Sequence, residues 1–311
     1  MTTFLITLSA VAVMLCYAVP GFLLVKTKHI KEEAIPAFAK ILMYVCAPCL
    51  TIYTIADTPF SKKILIDSGV VFVVSLGIQI FLLLFFRFIF RNHNDDVKYR
   101  VCTIATGMGN CGFMGVPLLE AIMPEHSEAV LMSTVFCLGM NFIGWTLASY
   151  IISNDKSYMR IQNALLNPST LSLVIAIPLF LTGFKLPDLV HNMVTLLGKM
   201  SAPMCMLIMG MRLATMDLKE VFKDKMIYGI LGIKQLGMPL LALGIMTLLP
   251  VDDYLVKTMF ILSAAPVASV VLNFAEMIGR GQKRAANLVL LGTMLSIVTI
   301  PLLMLIVYGR N

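Results

Sequence analysis

Long apolar runs limit the possible folds of this sequence more than any other feature. Residues 4–25, 64–90, 129–152 and 285–308 are nearly free of charged side chains. The hydrocarbon core of a bilayer is ~30 Å thick, and a helix needs about 20 apolar residues to cross it. Each run is long enough, so the sequence predicts an all-α integral membrane protein.

Composition indicates the same class. The 311 residues are 59% hydrophobic and 13% charged, whereas soluble domains contain roughly 25% charged residues. The net charge of +7 is explained by basic loops between spans, so we expect the lipid bilayer and no nucleic acid as a partner. No basic segment precedes residues 4–25 and no small-residue cleavage site follows them, which is typical of a span and not of a signal peptide.

We predict ten transmembrane helices joined by short polar connections. Of the 24 Lys and Arg residues, 17 fall in the connections after odd-numbered spans or in the adjoining span ends, Lys40 and Arg212 among them, and 5 fall on the opposite side. Basic loops stay in the cytoplasm, so we expect a multi-pass protein of the cell (inner or plasma) membrane with both termini outside. The spans lie near residues 3–25, 35–56, 64–90, 100–121, 129–152, 164–182, 189–213, 226–249, 257–279 and 285–308.

Short motifs recur at a spacing of 155 residues. The Ala-Pro pair at 47–48 returns at 202–203, and the Gly-Ile pair at 77–78 returns at 232–233. Because each half holds five spans, an odd number, the second half must be inverted, an arrangement from which many carriers obtain outward-open and inward-open states. We therefore predict two repeats, residues 1–155 and 156–311.

Spans 4 and 9 are poor continuous helices. Span 4 has four glycines, an asparagine and a proline between positions 107 and 117, and span 9 contains Pro266. Both glycine and proline weaken or break helices, and interruptions at matched positions in the two halves of a carrier indicate its binding site. The freed backbone groups need protein, water or ligand as partners, and helix N-termini created there favour anions.

The candidate binding residues lie in or beside these interruptions. Asn110 and Pro117 are seven residues apart, and Pro266 and Asn273 repeat that spacing in reverse order, so two crossing spans would bring both amides to one point. Asn141 lies in the middle of span 5, where its amide could bind a ligand or a neighbouring helix. The complete set of predicted substrate-binding residues is Asn110, Gly112, Pro117, Asn141, Pro266, Ser269 and Asn273.

Four charged residues inside spans or at their ends are candidate charge partners. Lys199 and Lys234 are costly in hydrocarbon, so each could balance a bound anion, or instead snorkel or pair within the protein. Glu120 and Glu276 end the two interrupted spans, where they could relay protons or be solvated helix ends. The motifs of hydrolases, metalloproteases and nucleotide-driven pumps are absent from the sequence, so we expect no enzyme activity, no cofactor and no metal.

Motifs spread along the whole chain resemble one known family. They are Gly109-Asn110-x-Gly112-Phe113-x-Gly115-x-Pro117-Leu118, Asn141-Phe142-x-x-Trp145-Thr146, Asn167-Pro168, Ala202-Pro203-Met204 and Ala265-Pro266-x-Ala268. In the order and spacing of these motifs the sequence resembles the prokaryotic auxin efflux carrier family, which includes malonate and malate permeases and is related to plant PIN auxin carriers.

The resemblance implies a fold and a mechanism. Ten helices would form a 5+5 inverted repeat, in which spans 1, 2, 6 and 7 make a scaffold that forms a homodimer. Spans 3–5 and 8–10 would make a mobile transport domain in which spans 4 and 9 cross. The implied substrates are small organic anions, and the implied motion is that of an elevator.

We therefore predict a secondary carrier that moves a small organic anion, a carboxylate, across the membrane by elevator-type alternating access. Asn110, Asn141, Asn273 and the backbone of the interrupted helices would hold the carboxylate. A sodium-coupled symporter of the bile-acid type and a carrier-like membrane sensor stay open as alternatives, and so does coupling to protons or to sodium.

Single cysteines introduced in the connections test the predicted orientation. A membrane-impermeant thiol reagent applied to intact cells should label Glu125→Cys and Asp252→Cys, because the basic asymmetry puts both positions outside. Asp155→Cys and Lys283→Cys should react only after the cells are permeabilised, and the unmodified protein gives the background. Labelling of Asp155→Cys from outside would overturn the orientation.

Overall fold

The computed structural model describes residues 2–216 and 224–308, and most of these residues are in helices. No β-strand occurs among the described residues, which contain only one isolated bridge between two loop segments. The prediction of an all-α protein is therefore confirmed. Three residues of the basic count, Lys219, Lys223 and Arg310, lie outside the described residues.

Thirteen helical segments are numbered here in chain order over the described residues. They are α1 (Thr3–Lys26), α2 (Glu32–Ala56), α3 (Lys62–Ile89), α4 (Val97–Gly107), α5 (Gly115–Ile122), α6 (Ser127–Ser153), α7 (Lys156–Leu171), α8 (Leu173–Thr182), α9 (Asp188–Ala214), α10 (Lys225–Met246), α11 (Asp253–Ala264), α12 (Val270–Met277) and α13 (Gln282–Tyr308).

Seven of these helices are long and apolar enough to cross a membrane within the described ranges: α1, α2, α3, α6, α9, α10 and α13. They correspond to predicted spans 1, 2, 3, 5, 7, 8 and 10. Predicted span 6 is the pair α7–α8, which bends by 56° at its break and together also passes for a span. The expected total of ten, and the inversion of one half relative to the other, stay predictions.

Predicted spans 4 and 9 are each divided into two helices. In the first region α4 ends at Gly107 and α5 begins at Gly115; in the second, α11 ends at Ala264 and α12 begins at Val270. Met108 and Ala265, which follow α4 and α11, have extended backbones. Each half-helix is too short to cross a bilayer alone. The breaks occur at the glycine- and proline-containing segments, as the sequence predicts.

The outer surface of the helical bundle is apolar. Large side chains such as Ile66, Val73, Val174 and Leu196 are more exposed than buried, and they lie on several different helices. Soluble monomers rarely expose apolar surface on this scale, whereas a lipid environment requires it. The protein is thus a multi-pass helical membrane protein.

Three helices contain one wide π-helical turn each: Leu42–Cys46 in α2, Gly144–Ala148 in α6 and Ile233–Gly237 in α10. Pro48 and Pro239 follow two of these turns. Proline has no N–H for the carbonyl four residues earlier, and its ring clashes with that carbonyl, so a wider turn relieves both problems. Such turns often occur at functional sites because they redirect side chains.

Glycines allow α1 and α9 to pack backbone against backbone. A Cβ added to Gly21 would lie 2.0 Å from the carbonyl oxygen of Leu207, and one added to Gly210 would lie 1.8 Å from that of Ala18. Small residues at a helix interface permit this close approach, which drives association of helices in membranes where the hydrophobic effect contributes little.

Gly210→Ala should destabilise the folded protein, because the new methyl group would force the α1 and α9 backbones apart. Overpacking of this kind costs roughly 1–3 kcal/mol, more than the gain of up to about 1 kcal/mol from replacing glycine in a helix. Thermal unfolding in detergent should show a lower melting temperature for Gly210→Ala. Gly229→Ala is the matched control, since nothing lies within 4 Å of its added Cβ; equal melting temperatures for the two variants would contradict the packing argument.

Candidate solute-binding site

The two interruptions pair with each other through their backbones. The backbone N–H of Asn110 donates a hydrogen bond to the Pro266 carbonyl at 2.7 Å, and the backbone N–H of Ala268 donates one to the Met108 carbonyl at 3.0 Å. Between these two hydrogen bonds, Gly109 and Val267 form an isolated antiparallel bridge. Each break thus satisfies backbone groups that the other leaves free, as non-helical backbone at membrane depth requires.

Lys234 binds the end of one interrupted helix. Its side chain is fully buried, and its ammonium donates to the carbonyls of Ser263 at 2.8 Å and Ala265 at 2.7 Å. These carbonyls belong to the C-terminal end of α11, where the helix dipole is negative. A Cβ on Gly109 would lie only 3.0 Å from the Lys234 Nζ, so the absence of a side chain at Gly109 leaves room for the ammonium beside the paired backbones.

Gln79 stands at the position that corresponds to Lys234 in the proposed repeat, 155 residues earlier, and behaves differently. It is also fully buried. Neither its amide nitrogen nor its amide oxygen forms a hydrogen bond in the part of the chain that the structure describes. Of the two corresponding positions, only the one carrying the lysine therefore holds the end of an interrupted helix.

A cavity of about 360 Å³ opens beside the paired interruptions. Five of the seven predicted substrate-binding residues line it, and they come from three different regions of the fold. Its floor includes the break between α4 and α5, one side of α6, and the start of α12. The five residues are Asn110, Gly112, Asn141, Ser269 and Asn273.

The cavity borders the N-terminal ends of two half-helices. Gly112 and Phe113 precede α5, Ser269 and Val270 begin α12, and all four residues line the cavity. The N-terminus of a helix carries a partial positive charge and unpaired N–H groups, which together favour anions. Together with the amides of the three predicted asparagines in its lining, these helix ends give the cavity uncharged hydrogen-bond donors.

Apart from Glu276, which also lines this cavity, the remaining predicted residues lie elsewhere. Pro266 is buried, and its carbonyl accepts the bond from Asn110. Pro117, Glu120 and Lys199 line a second cavity of about 200 Å³, in which Tyr53 donates a 3.4 Å hydrogen bond to Glu120. Lys234 lines neither cavity among the described residues, so its geometry favours the role of an internal partner over that of a substrate ligand.

Charged residues that the sequence analysis did not select also line the main cavity. Lys40 comes from α2, and Arg212 comes from α9, close to its end. Arg212 binds Glu276 of α12 with an Nη1–Oε1 distance of 2.6 Å. Both cations had been assigned to cytoplasmic connections, where they supported the orientation. The available signal was that Arg212 falls within the apolar run of span 7 and not after it.

A multi-pass helical membrane protein with a polar cavity where two interrupted helices meet has the features of a membrane transporter. The chain matches the family described as "Membrane transport protein" over residues 6–164 and 156–304, which cover most of its length. It therefore belongs to this family, that of the auxin efflux carriers.

A relative with a more specific name has a similar sequence. A protein of Rhizobium meliloti (strain 1021) named "Putative malonate transporter" is 24% identical over 295 residues. The match covers 90% of this chain and 89% of the relative. Family and relative are both named for transport and not for catalysis.

Lys234→Met should lower the stability of the protein, because it removes both donors to the Ser263 and Ala265 carbonyls while keeping a stem of similar length. Leaving a buried acceptor unpaired costs about 1–3 kcal/mol. The matched control is Gln79→Met, which removes an amide that has no partner and should leave stability unchanged or raise it. Melting temperatures in detergent decide the matter: equal losses in both variants would mean that the two carbonyl contacts of Lys234 are not what stabilises the interruption.

Proposed function

We propose that this protein is a secondary carrier that moves a small carboxylate across the cell membrane. One observation carries the proposal: a cavity beside two paired helix interruptions is lined by Asn110, Asn141 and Asn273 in a chain of a membrane transporter family. Binding sites of carriers occur at interrupted helices near the middle of the membrane. The relative's name makes malonate the first substrate to test.

The cavity suits a carboxylate because its floor supplies donors. Each asparagine amide has two N–H donors, and the starts of α5 and α12 add positive dipole ends. Hydrogen bonds to a charged group each contribute roughly 1.5–3 kcal/mol. Two or three such bonds would bind the anion firmly. Because these donors carry no formal charge, the anion could still be released.

Alternating access would follow from a division of the chain into two bodies. We propose a 5+5 inverted repeat with a scaffold of spans 1, 2, 6 and 7 and a mobile domain of spans 3–5 and 8–10, in which spans 4 and 9 cross. The glycine contact between α1 and α9 supports a rigid scaffold. The backbone pairing of the two interruptions supports their movement as one unit.

The alternative of sodium coupling through Glu120 and Glu276 has less support. The two carboxylates line different cavities, and Glu276 is already bound by Arg212. A sodium site needs several oxygens that converge on one point. A proton-coupled or uncoupled carrier fits this separation better, and uptake into proteoliposomes with and without a sodium gradient distinguishes the two.

Asn110→Leu and Asn273→Leu test the binding site. Each change keeps approximate volume but removes donors, so each should weaken malonate binding about 10- to 100-fold, the loss of roughly 1.5–3 kcal/mol. The double variant should lose less than the sum, because both amides serve one bound anion. Calorimetry on monodisperse protein in detergent measures the affinities.

Asn192→Leu is the control. Asn192 is an exposed residue of α9 that lines neither cavity, so its replacement should leave malonate binding unchanged. If Asn110→Leu and Asn273→Leu fold and bind malonate with wild-type affinity, the site beside the interruptions does not bind the substrate. The second cavity with Lys199 and Glu120 would then be the next place to search.

A further inference from the structure

One ion pair lies in the lining of the main cavity. Arg212 on α9 and Glu276 on α12 both line the cavity, and their side chains are joined at 2.6 Å. The Arg212 side chain is 24% exposed and that of Glu276 is 45% exposed, so both reach solvent. The guanidinium of Arg212 is therefore already bound to a carboxylate of the protein itself, that of Glu276.

The pairing with Glu276 places Arg212 near the asparagine amides of the cavity. Glu276 follows Asn273 by three residues on α12, so the two side chains lie on the same face of the helix. The rise between them is about 4.5 Å along the axis. The carboxylate bound by Arg212 and the amide of Asn273 therefore belong to neighbouring parts of one cavity lining. A small dicarboxylate has acceptor oxygens at both ends, so one molecule can accept hydrogen bonds from both donor groups.

Arg212 is suited to bind a carboxylate, and Glu276 is suited to be replaced by one. The planar guanidinium offers paired donors that match the two oxygens of a carboxylate. A partly exposed ion pair contributes little to stability, so exchanging its carboxylate for another costs little. The described residues contribute only one other charged side chain to the cavity lining, Lys40 of α2.

We propose that the site selects dicarboxylates, and that Arg212 binds the second carboxylate by exchanging it for Glu276. The first carboxylate lies at the amides of Asn110 and Asn273, as in the proposed function on which this inference rests. Glu276 acts as a resident competitor: in the empty cavity it neutralises Arg212, and it withdraws when substrate enters. Monocarboxylates leave the ion pair in place and bind only at the amide end.

Two probes of nearly equal size test this selection. Malonate carries two carboxylates at neutral pH, and its monoamide, malonamate, carries one. Calorimetry on the purified wild-type protein should show malonate binding about tenfold or more tightly, because one charge-assisted contact is lost in malonamate. The ratio of the two affinities is the readout, since it is insensitive to partial loss of active protein.

The two partners of the ion pair should respond in opposite directions. Arg212→Gln should weaken malonate about 10- to 100-fold and change malonamate little, so that the ratio falls towards one. Arg212→Lys should keep part of the preference, because the charge stays but the paired donors are lost. Glu276→Gln should strengthen malonate by up to about fivefold, the factor that breaking a partly exposed ion pair is worth.

Lys40→Gln controls for a general loss of positive charge in the same cavity and should change the ratio far less than Arg212→Gln. An unchanged ratio in Arg212→Gln, an equal effect of Lys40→Gln, or selective loss of malonate binding in Glu276→Gln would each overturn the inference. Equal wild-type affinities for malonate and malonamate would also overturn it while leaving a carboxylate carrier intact. If wild-type protein binds neither probe, the proposed substrate class fails as well.

Discussion

The backbone pairing between the two helix interruptions is the contact on which the rest of the structure depends. Hydrocarbon offers no hydrogen bonds, so a helix can be broken inside a membrane only if its freed groups find partners. Here Asn110 and Ala268 donate across the gap to Pro266 and Met108. The pairing brings Asn110 and the start of α12 to one side, where the cavity lies, and leaves Lys234 on the end of α11.

The class of protein and the places where its helices break could be predicted from the sequence, because both depend on local properties. Apolar length and the weak helix propensity of glycine and proline are visible in a single run of residues. Which partners a long side chain contacts is not visible in such a run. Lys234 and Gln79 occupy positions that match in the predicted repeat, yet of the two only Lys234 has carbonyl partners. This difference depends on residues about 30 positions away in the chain.

Arg212 illustrates the same limit for the candidate site. Counted as a loop cation, it supported the orientation, but its guanidinium lies in the cavity because α9 continues to Ala214. Glu276 was selected for its place at the end of a span, and its partner was not foreseen. Pairs between distant helices depend on how the helices are assembled, and neither periodicity nor composition records that. For the same reason the sequence could not show that Glu120 and Lys199 line the second cavity while Glu276 lines the main one.

Main-chain atoms form the whole of the bridge between the interruptions, and this has a consequence for how such proteins diversify. The hydrogen bonds at Asn110 and Ala268 use main-chain N–H and carbonyl groups, which nearly every amino acid possesses. A mutation there can alter the chemistry presented to a solute without removing the bonds that hold the broken helices together. Gly109, in contact with Lys234, has little freedom to gain a side chain. New solute preferences can therefore evolve on this framework by single substitutions, while the framework itself is inherited unchanged.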